Sequence, residues 1–253
     1  SVDSFKNTSQ KPGDHYYFFV LEDTASNTIA GTSAIEAKTG VHTPFYSYKV
    51  SRRTRMCHSL GIRNDYDVLS LVNDNQGCSE LCTLFLNPDY RKNHNGLLLS
   101  KARFLFIADH RERFCDRLIA ELRGVSDEQG RSPFWEHVGA HFFHMPFSQA
   151  DELTTSTNKQ FIADLIPRNP VYVKLIAQEA QDVIGKAHPS SIPAMQMLLS
   201  EGFRYNNYVD IFDAGPTIEC PVDEIKTIKR SALVKVGSLS DEVSGTEYLI
   251  SNQ

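Results

Sequence analysis

With 253 residues, 41% hydrophobic and 23% charged, the chain has the composition of an ordinary globular protein that can bury one large core or two smaller ones. A formal net charge of −5 argues against wholesale tracking of nucleic-acid phosphates, and no apolar run approaches the ~20 residues that span a bilayer, so neither nucleic acid nor membrane is an expected partner. The first 14 residues hold no apolar signal segment, and the five cysteines, Cys57, Cys78, Cys82, Cys115 and Cys220, lack metal-ligand pairing; they read as reduced, mostly packing thiols of a cytoplasmic protein.

Residues 1–14 are polar and read as frayed or linker-like. An aromatic strand follows over 15–21, a turn over 22–27 and a second strand over 28–36, which together predict a hairpin. Residues 45–50 and 67–72 are two further candidate strands. The stretch from Leu81 to Leu86 is a short apolar run stopped by Asn87-Pro88-Asp89, which predicts a buried strand ending in a turn. From Gly96 a helix is expected. Leu97, Phe104, Ile107 and Ala108 share one face, Leu98, Ala102 and Leu105 widen it, and Lys101, Arg103 and Asp109 are placed toward water.

Residues 116–124 read as the next strand, with Glu121, Arg123, Asp127 and Glu128 clustered around and beyond its end, either a site for a charged substrate or a solvated turn. Ser132-Pro133 opens a short helix that Gly139 is expected to close. His137, His141 and His144 then fall outside one continuous helix and read as surface histidines, with no metal site expected. Residues 148–157 are polar helix or loop, 161–165 a short apolar run, and 170–184 a helix with Tyr172, Ile176, Ala180 and Val183 on one side, ending at Gly185. Pro193 opens a helix closed by Gly202, a strand covers 205–212, a turn 214–216, a strand 217–220, and a basic strand or helix begins at Ile225.

Between the 81–86 strand and its helix lies Arg91-Lys92-Asn93-His94-Asn95-Gly96. Its last amides are the unpaired N–H groups of a helix start, and together with the positive end of the helix dipole they favour an anion. This loop resembles the pyrophosphate-binding signature of the GNAT superfamily of acyl-CoA N-acyltransferases, Arg/Gln-x-x-Gly-x-Gly/Ala. Arg91 and Gly96 match, and His94 stands at the first glycine, where a left-handed conformation costs a non-glycine residue ~1–2 kcal/mol.

Three long blocks, SELCTLFLNPDYRKNHNGLLLSKARF, ELRGVSDEQGRSPFWEHVGAHFF and EAQDVIGKAHPSSIPAMQMLLSEGFRYNNYVDIFDAGPTIEC, extend the likeness. From about Tyr17 to Ser231 the chain resembles the bacterial arginine N-succinyltransferase family. The resemblance implies a mixed α/β (α+β) GNAT-like fold. The repeated Pro–helix–Gly–Phe pattern around Pro133 and Pro193 suggests that it is tandem or duplicated, and the chain looks truncated at both ends relative to the family. Its division would be 1–145 with the CoA-binding strand–loop–helix, 146–230 carrying His188, and 231–253 opening a small C-terminal β region. The implied reaction moves succinyl from succinyl-CoA, a co-substrate and not a resident cofactor, to the α-amino group of L-arginine, releasing N2-succinylarginine and CoA. Matched to the family, His188 is the proton donor and Leu84 the succinyl-CoA contact, with Arg91, His94, Asn95 and Gly96 around the pyrophosphate. A homo-oligomer, or a heteromer with a paralogous subunit, is implied. Two other readings stay open: a catalytically silent GNAT-like partner subunit, and the same chemistry on ornithine or another basic amino acid.

Overall fold

The computed structural model describes residues 2–6, 10–156, 160–238, 245 and 248–251. A short helix α1 (Val2–Lys6) precedes the hairpin β1 (Tyr16–Asp23) and β2 (Thr28–Glu36), then the long hairpin β3 (Ser47–Cys57) and β4 (Ile62–Val72). Next come β5 (Ser79–Leu86), helix α2 (Asn95–Asp109) and β6 (Arg117–Glu121). A π-helical turn (Trp135–Gly139) runs on into α3 (Ala140–Phe143), followed by α4 (Phe147–Ser156), α5 (Gln160–Leu165), β7 (Val171–Tyr172), α6 (Gln178–Gln181) and α7 (Ile192–Glu201). The strands β8 (Arg204–Val209) and β9 (Pro216–Pro221) and helix α8 (Lys226–Arg230) complete the described elements.

The strands form one mixed sheet in the order β1-β2-β5-β6-β9-β8-β3-β4-β7, so strands from both sides of residue 145 share it. All neighbours are antiparallel except β5 and β6, which run parallel and pair only at Ser79↔Leu118 and Glu80↔Ile119. The alternation in β1 and β2 sends Tyr17 and Ile35 into a first core with Phe104 and Ile107 of α2, Leu198 of α7, and Ile218. A second core gathers Tyr48, Leu69 and Val209 of the sheet under Phe134, Trp135 and Phe143, with Ile162 and Ile166 from α5 and its end. Each such fully buried large side chain contributes roughly 1.5–3 kcal/mol. Trp135 is wholly buried, and its indole N–H donates to the Met145 carbonyl at 3.0 Å.

Several expectations change. The N-terminal residues are not all linker, because α1 sets the Phe5 ring edge-on against Tyr17, Phe19 and Phe106. Gly139 does not end its helix. A Cβ there would sit 2.3 Å from the Trp135 ring, so the glycine serves close packing, and the turn ends at His144 with φ 53°. The helix expected over 170–184 is reduced to β7, a 3₁₀ turn and the single turn of α6, since Val171 and Tyr172 pair with Leu69 and Val68 of β4. In α2 the buried face is Leu99, Ser100, Arg103, Phe104 and Ile107. Leu97 and Leu98 are exposed instead, and Arg103, expected in water, is 1% exposed. Of the five free cysteines, Cys78 and Cys220 are buried, Cys82 and Cys115 are half-buried and Cys57 is exposed. Of the expected C-terminal β region, 231–238 and 248–251 carry no strand; 239–244, 246–247 and 252–253 lie outside the described residues, as does Thr157.

The helix that follows the candidate loop is fixed by an ion pair. Lys101 of α2 meets Glu201 of α7 at 3.0 Å, and the other Glu201 oxygen accepts the Thr227 amide of α8 at 2.7 Å, with the Glu201 side chain only 5% exposed. Removing one member leaves the other charge uncompensated, so Glu201→Ala is expected to cost about 3 kcal/mol. Urea denaturation at neutral pH measures this; a loss under about 0.5 kcal/mol, the scale of an exposed pair, would contradict it.

Candidate active site

The site grows from the end of β5. Thr32 faces Phe85 and Ala34 faces Cys82, so Thr83 and Leu84 together stand opposite the single residue Ser33, which makes a β-bulge. Thr83 adopts φ 54°, unusual for a β-branched residue. It is held there by Tyr16, whose hydroxyl lies 2.5 Å from Thr83 Oγ1, and by Thr32 Oγ1, which donates to the Thr83 carbonyl at 3.2 Å. Such a bulge breaks the ladder and re-aims the backbone of Leu84.

Beyond Leu86 the chain turns through Asn87, whose side chain accepts the Asp89 amide, and Arg91 Nε ties back to the Leu86 carbonyl at 3.1 Å. Asn93 and His94 are both left-handed, at φ 50° and 60°, so His94 takes the conformation the glycine signature demands. Asn95 opens α2, one residue before the expected start, and its side chain donates to the Tyr90 carbonyl at 3.1 Å. No side chain caps this helix end. The amides of Gly96 and Leu97, at the second and third helical positions, have no acceptor within the helix. A Cβ on Gly96 would touch only Leu86, at an ordinary 3.6 Å, so the fold itself makes no demand for glycine here.

The other wall is the exit of β6. Leu122 N–H donates to Pro216 O at 3.0 Å, and the Asp213 carboxylate accepts Gly124 N–H at 2.7 Å and Gly215 N–H at 2.8 Å. The backbones are so close that a side chain on Gly124 or Gly215 would strike main-chain atoms at 2.1–2.5 Å. This knot captures the 185–188 loop: Gly185 N–H donates to Ala214 O at 2.9 Å, Ala187 bridges to Gly124, and His188 N–H donates to Arg123 O at 2.7 Å. The His188 ring is half-buried, and its Nδ1 accepts the Ser190 amide at 3.2 Å and lies 2.7 Å from Ser190 Oγ. An amide can only donate, so neutral His188 carries its proton on Nε2.

Leu84 and Arg123 each lie four residues past Glu80↔Ile119, the last couple that β5 and β6 share. Leu84 therefore lies on one arm of the fork and His188, hung from Arg123, on the other, and Arg91 to Gly96 close the β5 arm. The charged cluster beyond β6 is dispersed: Arg123 donates to Ser126 Oγ, Asp127 pairs with Arg131 at 2.8 Å, and Glu121 accepts from Thr217. His137 pairs with Glu179 on the face of the second core. Among the described residues no three His, Cys, Asp or Glu side chains converge as metal ligands, and no helix is long and apolar enough to cross a membrane.

Two parallel strands forked past two shared couples, a bulge on one arm and an uncapped helix start beyond it place the candidate site of this mixed α/β protein at the open end of the fork. The chain belongs to the AstA family, arginine N-succinyltransferase beta subunit, whose model matches residues 1–227. It is 51% identical over 220 residues to arginine N-succinyltransferases of Escherichia coli strain K12 / DH10B and of Escherichia fergusonii, covering 87% of this chain and 64% of each relative. The arginine/ornithine succinyltransferase subunit AI of Pseudomonas aeruginosa has a structure that superposes with a TM-score of 0.80 at 38% identity, covering 90% of this chain and 66% of that one. The chain thus spans just under two thirds of the length of these relatives.

Under the β6 exit, Asp210 accepts the Phe212 and Asp213 amides at 2.7 and 2.9 Å. Burial, and then the nearby Asp213 and Glu121 carboxylates, push its acid well above the ordinary range. A carboxyl raised in the fold contributes stability below its unfolded pKa and loses it as pH climbs through the folded value. Asp210→Asn, which keeps the accepting oxygen, is expected to be more stable than the parent at about pH 7.5 and equal to it at about pH 4. Chemical denaturation at the two pH values checks this; an equal shift at both would contradict it.

Proposed function

We propose that this chain transfers the succinyl group of succinyl-CoA to the α-amino group of L-arginine, and that its sheet is a GNAT-like acyl-CoA-binding fold. The observation that carries the reading is the fork, with the bulged Leu84 on one arm and His188 hung from the other. Pantetheine would lie between β5 and β6 as an added strand, the pyrophosphate at the amides of Gly96 and Leu97 beside Arg91, His94 and Asn95, and the thioester carbonyl at the Leu84 backbone. The left-handed His94 supports the loop as the phosphate cradle. Duplication draws less support, since only the second Pro–helix–Gly–Phe stretch leads into a strand, β8. Assembly with a second copy or a paralogous subunit is part of the proposal, because the Pseudomonas relative is a subunit. A reducing, cytoplasmic setting is supported by the five free thiols.

In the reaction the neutral amine attacks the thioester carbon, the tetrahedral intermediate expels the thiolate, the nitrogen gives up a proton and sulfur takes one. His188, as the imidazolium, delivers its Nε2 proton to sulfur, with Ser190 Oγ then accepting from Nδ1–H and Arg123 O holding its main chain; the neutral ring left behind regains a proton from solvent before the next turnover. An arginine-dependent release of CoA thiol is expected, with kcat falling roughly 10²–10⁴-fold in His188→Ala and CoA affinity unchanged. Gly96→Val should weaken CoA binding while melting as the parent does, since its added atoms point where phosphates would lie. Wild-type turnover in His188→Ala, or unaltered CoA affinity in Gly96→Val, would remove that residue from the mechanism. Ornithine in place of arginine in the same assay settles the acceptor.

A further inference from the structure

Arg103 has no place in the account so far. It lies on the sheet-facing side of α2 with 1% of its surface exposed, yet no carboxylate among the described residues pairs with it. Nε donates to Ser100 O at 3.3 Å and Nη2 to Ser100 Oγ at 3.2 Å, which leaves most of its five N–H bonds without an acceptor among the described residues. Burying a guanidinium without a counter-charge is costly, and a methionine or leucine would fill the same space without that penalty. Burial pulls its pKa down only to about 10, so it is a cation at neutral pH.

Its place along the sheet is informative. Ser33, the one residue opposite the Thr83–Leu84 bulge, donates its hydroxyl to the Leu99 carbonyl at 3.3 Å, next to Ser100. The Ser100–Arg103 turn therefore lies over the bulge, close to Cys82, the residue before it. The thioester carbonyl of an acyl-CoA in the fork would sit at that same bulge, with the far end of its acyl chain two methylenes further on.

Building on the proposed acyl-CoA site, we infer that Arg103 is the counter-charge for the free carboxylate of the acyl group, so that the site selects a dicarboxylic monothioester over a monocarboxylic one. The guanidinium meets a planar carboxylate bidentately, and Ser100 keeps its fork oriented while the site is empty.

The test compares succinyl-CoA with butyryl-CoA, which has the same four-carbon acyl chain ending in a methyl group, by calorimetric Kd and by kcat/KM with arginine. The wild-type chain is expected to prefer succinyl-CoA by about 30-fold or more, the scale of one charged hydrogen-bonded contact. Arg103→Met should abolish that preference by weakening succinyl-CoA alone, and Arg103→Lys, which keeps the charge but loses the fork, should restore part of it. A preference that survives in Arg103→Met, or an equal loss for both thioesters, would overturn the inference. Should Arg103→Met fail to fold, the wild-type comparison decides: equal affinity for the two thioesters overturns the inference and leaves the acyl-CoA reading standing. No binding of either thioester overturns both.

Discussion

Parallel strands that pair at two couples and then part leave their inner edges with no strand between them among the described residues, and the remainder of this fold follows from keeping them apart. β6 is held away by β9 along its whole outer edge, and β5 by β2 on the opposite side. Helix α2, which joins them, is pinned by the Lys101–Glu201 pair so that its N-terminus stays over the tip of β5. An edge of unpaired amides and carbonyls is a template for another strand, and in a folded domain that vacancy suits an extended ligand carrying amides of its own.

The two arms differ in how they are made. On β5 the bulge is local: one extra residue, one left-handed threonine and the Tyr16 hydroxyl that holds it. On β6 the arrangement is tertiary, since three segments far apart in sequence, around Gly124, Gly185 and Asp213, interlock through main-chain hydrogen bonds at glycine contacts too close for side chains. His188 has its position through that knot. Placing the bulge and the histidine on separate, independently braced arms fixes a gap between them.

Much of this was legible in the sequence where local rules govern. The aromatic alternation of 15–36, the apolar run before Asn87-Pro88, and the uncapped basic loop all carry their structure in short-range pattern. The outer parts of β3 and β4 did not show, because Arg52, Arg53, Arg55 and Asn64 are exposed on strands that pair across the same hairpin, so no apolar period marks them. The helical spacing of Tyr172, Ile176 and Ala180 was misleading because β4 offered its edge to Val171 and Tyr172. Gly139 read as a stop, yet its reason is the ring of Trp135. Arg103 read as a surface residue because a charge in a helix ordinarily is one. His188 could not be singled out among nine histidines by spacing, since its partners come from β6 and from the turn before β9; only the family likeness pointed to it.

The central claim is that the fork between β5 and β6 is where an acyl-CoA lies, and amide hydrogen exchange with and without CoA tests it most directly. Slowed exchange is predicted on added CoA at residues 81–86, at the first amides of α2, and at the exit of β6 over 119–124 and around His188. No change at the fork, with protection instead on the face of the second core around His137 and Glu179, would contradict the account.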